Sequence, residues 1–421
     1  MADKSLGRYS FIGFDPFLTI KSKNKDVSIN GKHIIGNPIK ILKKKLSLFR
    51  SIRHKGLPLY FGGAVGYFSY ETAHFFEKLP RNAKDDINVP DIYFSFFDKS
   101  IIYDHFKKEI IIVALGNDYD KLSSQLLEIK NIITGRQKPI DKKIQCGTLR
   151  SNFSKKEYIS SIKKIKEYIR AGDTFQVNLS QRLEAKISGD PLAVYKNLVK
   201  INPSPFSALL EFDDVKVISS SPERLVRLEN GIVNTRPIAG TRPRGKTKQE
   251  DLKLEKELLG SEKERAEHTM LVDLERNDIG KVCDYGSVKL TEAMAIEKYS
   301  HVIHLVSNIR GKLHKSKDRF DLLKAVFPGG TITGCPKIRT MEIIDELEPN
   351  ARGPYTGSLG YFNFAGDMDF NIIIRTLIMK GNKIYTHTGG GIVADSIPEE
   401  EYKETLYKAQ AMIKAIKTNV K

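Results

Sequence analysis

Runs that read as strands and runs that read as amphipathic helices follow one another along this chain without a βαβ rhythm, and no segment repeats. A doubly wound nucleotide-binding sheet requires that rhythm, so the pattern predicts an α+β chain of mainly antiparallel sheets flanked by helices. PLYFGGAVGYFSYETAHFF, DIYFSFFDKSIIYDHFKKEIIIVAL, TFQVNLSQRLEAKI and FNIIIRTLIMKGNKIYTH carry the aromatic and β-branched bias of strands. YDKLSSQLLEIKNIITG, SKKEYISSIKKIKEYIRAGD, the zone 248–280, CPKIRTMEIIDELE and the final segment carry helical spacing. In the clearest helix, Ser154 and Glu157 form a capping box, Ile162, Ile165 and Ile169 mark the buried face, and Gly172 ends it. Pro191 opens the next helix, and Asn230-Gly231 turns between two strands. The polar stretch GRQKPIDKKIQCGTLR is the natural linker, dividing the chain into regions 1–135 and 150–421.

A chain of 421 residues with 40% hydrophobic side chains has ample material for a buried core. Its net charge of +18 raises the question of nucleic acid, but the lysines are scattered rather than gathered into a stripe. No nucleic-acid partner is expected. Cys146, Cys283 and Cys335 are odd in number and far apart, which offers neither a disulfide framework nor a metal knuckle and fits a reducing cytoplasm. The longest apolar run, residues 110–115, is far too short to span a bilayer, and no charged leader opens the chain, so no membrane association is expected.

The chemistry concentrates between Tyr385 and Met412. Gly389, Gly390 and Gly391 follow a β-branched strand, where a turn free of side chains can aim backbone N–H groups at an anion. Beyond Pro398, Glu401 and Glu404 lie three apart and hence on one helix face; Glu264 and Glu267 repeat that spacing upstream. Either pair alone reads as an ordinary solvated face. Together, beside an anion turn, two facing carboxylate pairs suggest a Mg²⁺ site. Arg375, placed on an otherwise apolar strand leading back through Gly381-Asn382 to the glycines, is a natural clamp for a carboxylate, or else a strand-edge arginine reaching for solvent. Glu223 follows a Ser-Pro turn, the kind of loop that presents an acid. His301 and His304 default to satisfied core histidines. PGGTITGCPK lacks the spacing of a phosphate loop, and no nucleophile elbow is present.

PIAGTRPRG, AEHTMLVDLERND, KYSHVIHLVS, PGGTITGCPKIRTMEIIDELEP, IIIRT, GGGIVADS and EYKETLYKA, in this order over residues 150–415, resemble the chorismate-utilising enzymes. That family includes the component I chains of anthranilate and aminodeoxychorismate synthases as well as isochorismate and salicylate synthases. GRYSFIG and GGAVGYFSYE resemble the N-terminal region of the two aminating members. The resemblance implies a component I region over 1–135 and a chorismate-binding catalytic region over 150–421. It implies Glu267 and Glu404 as direct Mg²⁺ ligands, with Glu264 and Glu401 acting through water. It assigns Arg375, Tyr361, Gly389, Gly390 and Gly391 to the substrate carboxylates and Thr331 to the ring carboxylate. Glu223 becomes the acid that assists departure of the C4 hydroxyl, with His304 and Thr241 near the reacting ring. A Leu-Leu-Glu-Ser type segment that helps bind tryptophan in anthranilate synthase has no counterpart here, so either the sequence starts late or feedback control is absent.

Gln176 stands where the water-using members carry a lysine base. An amide accepts no proton at neutral pH, so the comparison implies amination. No cysteine sits in a glutaminase-type nucleophile turn, which implies ammonia from a separate glutamine amidotransferase subunit. QVNLSQR, TITGCPK, MDFNIIIRT and HTGGGIVADS look more like aminodeoxychorismate synthase than anthranilate synthase. PIAGT argues the other way, because Ala239 replaces a lysine that acts as covalent nucleophile in some aminodeoxychorismate synthases. The expected product is 4-amino-4-deoxychorismate. The alternatives are anthranilate plus pyruvate, or a non-catalytic relative that binds chorismate-like anions or docks a partner.

Overall fold

The computed structural model describes residues 7–135, 143–298 and 302–418. His301 and the middle of the linker lie outside them. Every pairing between the extended strands is antiparallel, and the sheets are flanked by helices, as expected of an α+β chain.

One sheet has twelve strands. It runs from Ile238–Pro243 and Val302–Lys312 through Ile232–Thr235, Arg224–Glu229, Met368–Asn371, Ser358–Asn363 and Gly63–Phe68 to Ile92–Phe97, Leu18–Lys23, Asp26–Ile29 and Lys32–Ile35, with Lys289–Lys298 paired to Val302–Lys312. The second sheet has eight strands and is centred on Gln176–Ser188, Lys383–Ile392, Thr376–Lys380 and Val215–Ser221. Gly63–Phe68 pairs with Ser358–Asn363, so strands from before the linker and from near the end of the chain share one sheet. The largest apolar cluster joins Phe68, Phe94, Phe362 and Phe370 of the long sheet to Val177, Leu179 and Ile392 of the other.

Local chemistry sets the helix limits. In the helix Lys155–Arg170, Ser154 Oγ accepts from Glu157 N (3.2 Å) and the Glu157 carboxylate accepts from Ser154 N (2.8 Å). Gly172 adopts φ +83°, a conformation that costs a side-chain-bearing residue about 1 kcal/mol. Tyr158, Ile162 and Ile165 are buried, each contributing roughly 1.5–3 kcal/mol of apolar burial. Ile169 is only partly buried and packs at the margin of the largest apolar cluster. The zone 248–280 is two helices, Lys248–Gly260 and Glu262–Gly280, divided at Ser261, whose hydroxyl caps the second by accepting from Glu264 N. No helix among the described residues is long and apolar enough to cross a membrane.

Two local expectations are corrected. The segment FNIIIRT is not one strand: strand geometry stops at Asn371 and resumes at Thr376, and Arg375 between them has φ 52°. Gly389–Gly391 do not form a turn. They continue the strand Lys383–Ile392, with Ser180, Leu179 and Asn178 opposite them in register, because the neighbouring strand supplies hydrogen-bond partners throughout the glycine run.

Candidate active site

Glycine serves this strand by its missing Cβ. A methyl at Gly389 would lie 2.8 Å from Asn178 Oδ1 and 2.9 Å from the Tyr355 hydroxyl, and one at Gly391 would overlap the Gln176 side-chain amide. A methyl at Gly390, on the opposite face, would meet Glu401, Glu404 and Lys408 at 3.4–3.8 Å. The strand therefore lets polar side chains close against its backbone on both faces. On one flank it pairs fully with Gln176–Ser188. On the other, Thr376–Lys380 pairs only with Lys383, Ile384 and Tyr385, because the chain kinks away at Arg375. The glycines thus lie on a sheet edge whose pairing has stopped, and such an edge presents backbone donors.

Arg375 sits at that kink. Burial lowers its pKa, with Tyr355 and Glu404 as the neighbours that counter this. Its guanidinium has no hydrogen-bond or ion-pair partner among the described residues. Arg375 is half-buried, so its planar fork can give paired, charge-assisted hydrogen bonds to an anion that enters the cleft.

Glu223 is the opposite case. It lies between the strands Val215–Ser221 and Arg224–Glu229, is 6% exposed, and accepts from Thr331 Oγ1 at 2.8 Å. Burial pushes its pKa up to about 7, and the threonine bond only partly offsets that. A carboxyl group in this state is half protonated near neutrality, as a general acid requires. Thr241 and His304 face each other across paired strands, Oγ1 to Nδ1 at 2.9 Å. Burial lowers the His304 pKa and nearby Arg375 lowers it further, so the imidazole is neutral at pH 7. Ala239 is buried on the same strand as Thr241, opposite Leu305. Gln176 is 4% exposed and its Oε1 is buried without a partner among the described residues.

The four glutamates come from two helices, Glu262–Gly280 and Pro398–Lys417. Glu267 is raised chiefly by burial, then by Glu264, with Glu404 adding to it. Glu401 is raised by burial and by Glu404, against a 2.7 Å bond from Ser396. Mutual repulsion of this kind is what a cation relieves. Two cations of the protein stand in part for it: Arg242 donates to Glu264 (3.0 Å), and Lys408 pairs with Glu404 (2.6 Å) while donating to Gly389 O (3.0 Å). No three acidic, histidine or cysteine groups among the described residues close into a ready metal cluster. The donor set thus fits a hard cation in its chemistry, but the side chains are not gathered for one.

Tyr361 is not brought here. Its strand is paired on both sides, with Gly63–Phe68 and Met368–Asn371, and its ring packs on Tyr60 and Phe11 at 4.9 and 6.2 Å. The tyrosine beside Arg375 and Gly389 is Tyr355, stacked on His387 at 5.1 Å. Sequence reading missed Tyr355 and also Lys408; for Lys408 the signal was available, since it lies one helical turn beyond Glu404.

The pattern of the chorismate binding enzyme family matches residues 1–414. The chain belongs to that family. Among curated relatives of this chorismate-binding enzyme, anthranilate synthase component 1 of Acetivibrio thermocellus is 48% identical over 97% of this chain and 87% of its own length. Aminodeoxychorismate synthase component 1 of Bacillus subtilis is 44% identical over 97% of this chain and 89% of its own. The crystal structure of anthranilate synthase component I from Streptococcus pneumoniae superimposes with a TM-score of 0.89 at 35% identity, covering 98% of this chain and 93% of that one. Component 1 chains of both synthases thus occur among its relatives.

Proposed function

We propose that this chorismate-utilising enzyme aminates chorismate with ammonia and that its product is 4-amino-4-deoxychorismate. The observation that carries amination is Gln176, buried beside Gly391 where a base would be needed to activate water. Its amide takes no proton, whereas ammonia brings its own lone pair. Arg375 and the unpaired edge of Gly389–Gly391 hold a substrate carboxylate, and Lys408 and Tyr355 border the same place. Glu223 gives its proton to the C4 oxygen as the C–O bond breaks, so the hydroxyl leaves as water. The surplus proton on the newly bonded nitrogen restores Glu223, and neutral His304 adds no charge to the ring's surroundings. Glu267 and Glu404, with Glu264 and Glu401 helping through water, would hold Mg²⁺, which would neutralise a second substrate carboxylate.

The choice of product rests on QVNLSQR, TITGCPK, MDFNIIIRT and HTGGGIVADS, which resemble aminodeoxychorismate synthase. Ala239 excludes a lysine adduct at its position, so amination proceeds without one. The 48% identical relative favours the second reading, anthranilate with release of pyruvate. One assay separates them. With chorismate, Mg²⁺ and a large excess of an ammonium salt near pH 7, the purified chain should yield a non-fluorescent product that becomes 4-aminobenzoate only after a lyase is added. Anthranilate fluorescence with equimolar pyruvate and no lyase would select the second reading. Glutamine should replace the ammonium salt only once an amidotransferase subunit is present.

Metal dependence has its own test. Glu404→Ala removes a carboxylate that is exposed on the protein surface, so the fold should persist while activity is lost. Full activity of this variant, or of the wild type in excess EDTA, would refute the Mg²⁺ assignment.

A further inference from the structure

A second carboxyl group lies close to Glu223 and has had no role so far. Glu275 lies on the helix Glu262–Gly280, two turns beyond Glu267; it is half-buried, and its Oε2 reaches the strand Ile232–Thr235. There Glu275 Oε2 and the main-chain oxygen of Leu225 both contact the hydroxyl of Thr235, the latter at 3.0 Å. Thr235 is 1% exposed and its hydroxyl owns one proton, while a carbonyl oxygen and an ionised carboxylate are both acceptors only. Two acceptors cannot share it. The arrangement is satisfied when Glu275 carries a proton and donates it to Thr235 Oγ1, and Thr235 in turn donates to Leu225. The charged groups facing Glu275 agree: Glu223 and Asp278 are acidic, and Lys337, the cation nearest it, is bound to Asp278 at 2.7 Å and to Val326 O at 3.3 Å. Burial, reinforced by Glu223 and Asp278, holds the Glu275 pKa well above the carboxylate range.

We propose that Glu275 is a second, permanently protonated carboxylic acid of the active site and the positioning residue for Glu223. The donor chain Glu275–Thr235–Leu225 fastens the first strand residues after Glu223 to the helix that bears Glu264 and Glu267. Its neutrality matters as much as its grip. Glu223 must become a carboxylate each time it yields its proton, and a second negative charge beside it would oppose that step. The inference rests on the reading of Glu223 as the proton donor for its catalytic meaning, though not for the protonation of Glu275 itself.

Infrared spectroscopy reads that protonation directly. At about pH 8.5, well past the ordinary carboxyl range, the Glu223→Gln protein should show the carbonyl band of a protonated carboxylic acid, and this band should vanish when Glu275→Gln is added. A missing band in Glu223→Gln, or one that persists in the double variant, overturns the proposal. In kinetics, Glu275→Gln keeps a neutral donor to Thr235, so kcat should stay within about twofold and the pH limb of Glu223 should not move. Glu275→Ala removes the donor and admits water, so kcat should fall about tenfold or more with the chorismate KM unchanged, and Gln should rescue it. A limb that drops by about a full pH unit in Glu275→Gln would mean that Glu275 had been ionised, and the proposal would fail. Should Glu223→Gln prove fully active, the reading of Glu223 falls while the infrared band still decides the state of Glu275.

Discussion

Glu223→Gln is expected to lower kcat by about a hundred- to ten-thousand-fold while leaving the KM for chorismate nearly unchanged. The amide keeps the shape and can still accept from Thr331, so binding survives; what is lost is the proton for the leaving oxygen. In the wild type, the acid form of Glu223 is present below pH 7 and disappears above it, so kcat should fall with rising pH through about 7. The variant should lack that limb. The same shift predicts a stability effect of definite sign. The folded-state pKa lies above the unfolded value, so the stability associated with the protonated group is complete below about pH 4.5 and is lost as pH rises to about 7. Glu223→Gln should therefore stabilise the protein at pH 8, by at most ~3 kcal/mol, and do little at pH 4. Urea melts at the two pH values check this; equal effects at both would mean that the carboxyl is not buried as described.

Arg375→Ala should impair function while leaving the fold nearly untouched. A charge-assisted bond contributes roughly 1.5–3 kcal/mol, so losing a two-point grip on a carboxylate should raise the KM for chorismate by about a hundredfold or more. Arg375→Lys should recover only part of this, because an ammonium lacks the planar fork. Without substrate, the half-buried guanidinium has no hydrogen-bond or ion-pair partner among the described residues, so removing it should change Tm little. Substrate should then protect the wild type against thermal unfolding much more than it protects the alanine variant. A lower Tm for Arg375→Ala, with chorismate KM unchanged, would show that the arginine is an ordinary structural residue.

Much of this could be read from residue spacing because the governing interactions are local. The capping box at Ser154, the proline start at Pro191 and the helical positions of the four glutamates each depend on side chains within four residues of one another. The glycine run misled for the same reason. Locally, three glycines promise a turn, but pairing with Gln176–Ser188 is a long-range interaction and keeps them extended. Arg375 shows the converse, since its apolar neighbours read as an uninterrupted strand while the tertiary structure needs a kink there. Tyr361 and Tyr355 both precede or enter the same strand; only three-dimensional pairing reveals that Tyr361 is committed to Tyr60 and Phe11. The proton on Glu275 was beyond reach from sequence, because it follows from where one threonine hydroxyl lies relative to two acceptors.

The pairing of Gly63–Phe68 with Ser358–Asn363 has a consequence for biosynthesis. During translation the earlier strand emerges long before its partner exists, with Ile92–Phe97 able to cover only one of its edges. The other edge, a row of unpaired backbone groups, must remain open until residue 363 has cleared the ribosome. Such non-local closure makes folding slow and leaves an exposed β edge prone to pairing with other chains. Nascent chains arrested before residue 358 should therefore be held by chaperones or aggregate, and the completed sheet should be among the last parts of the molecule to form.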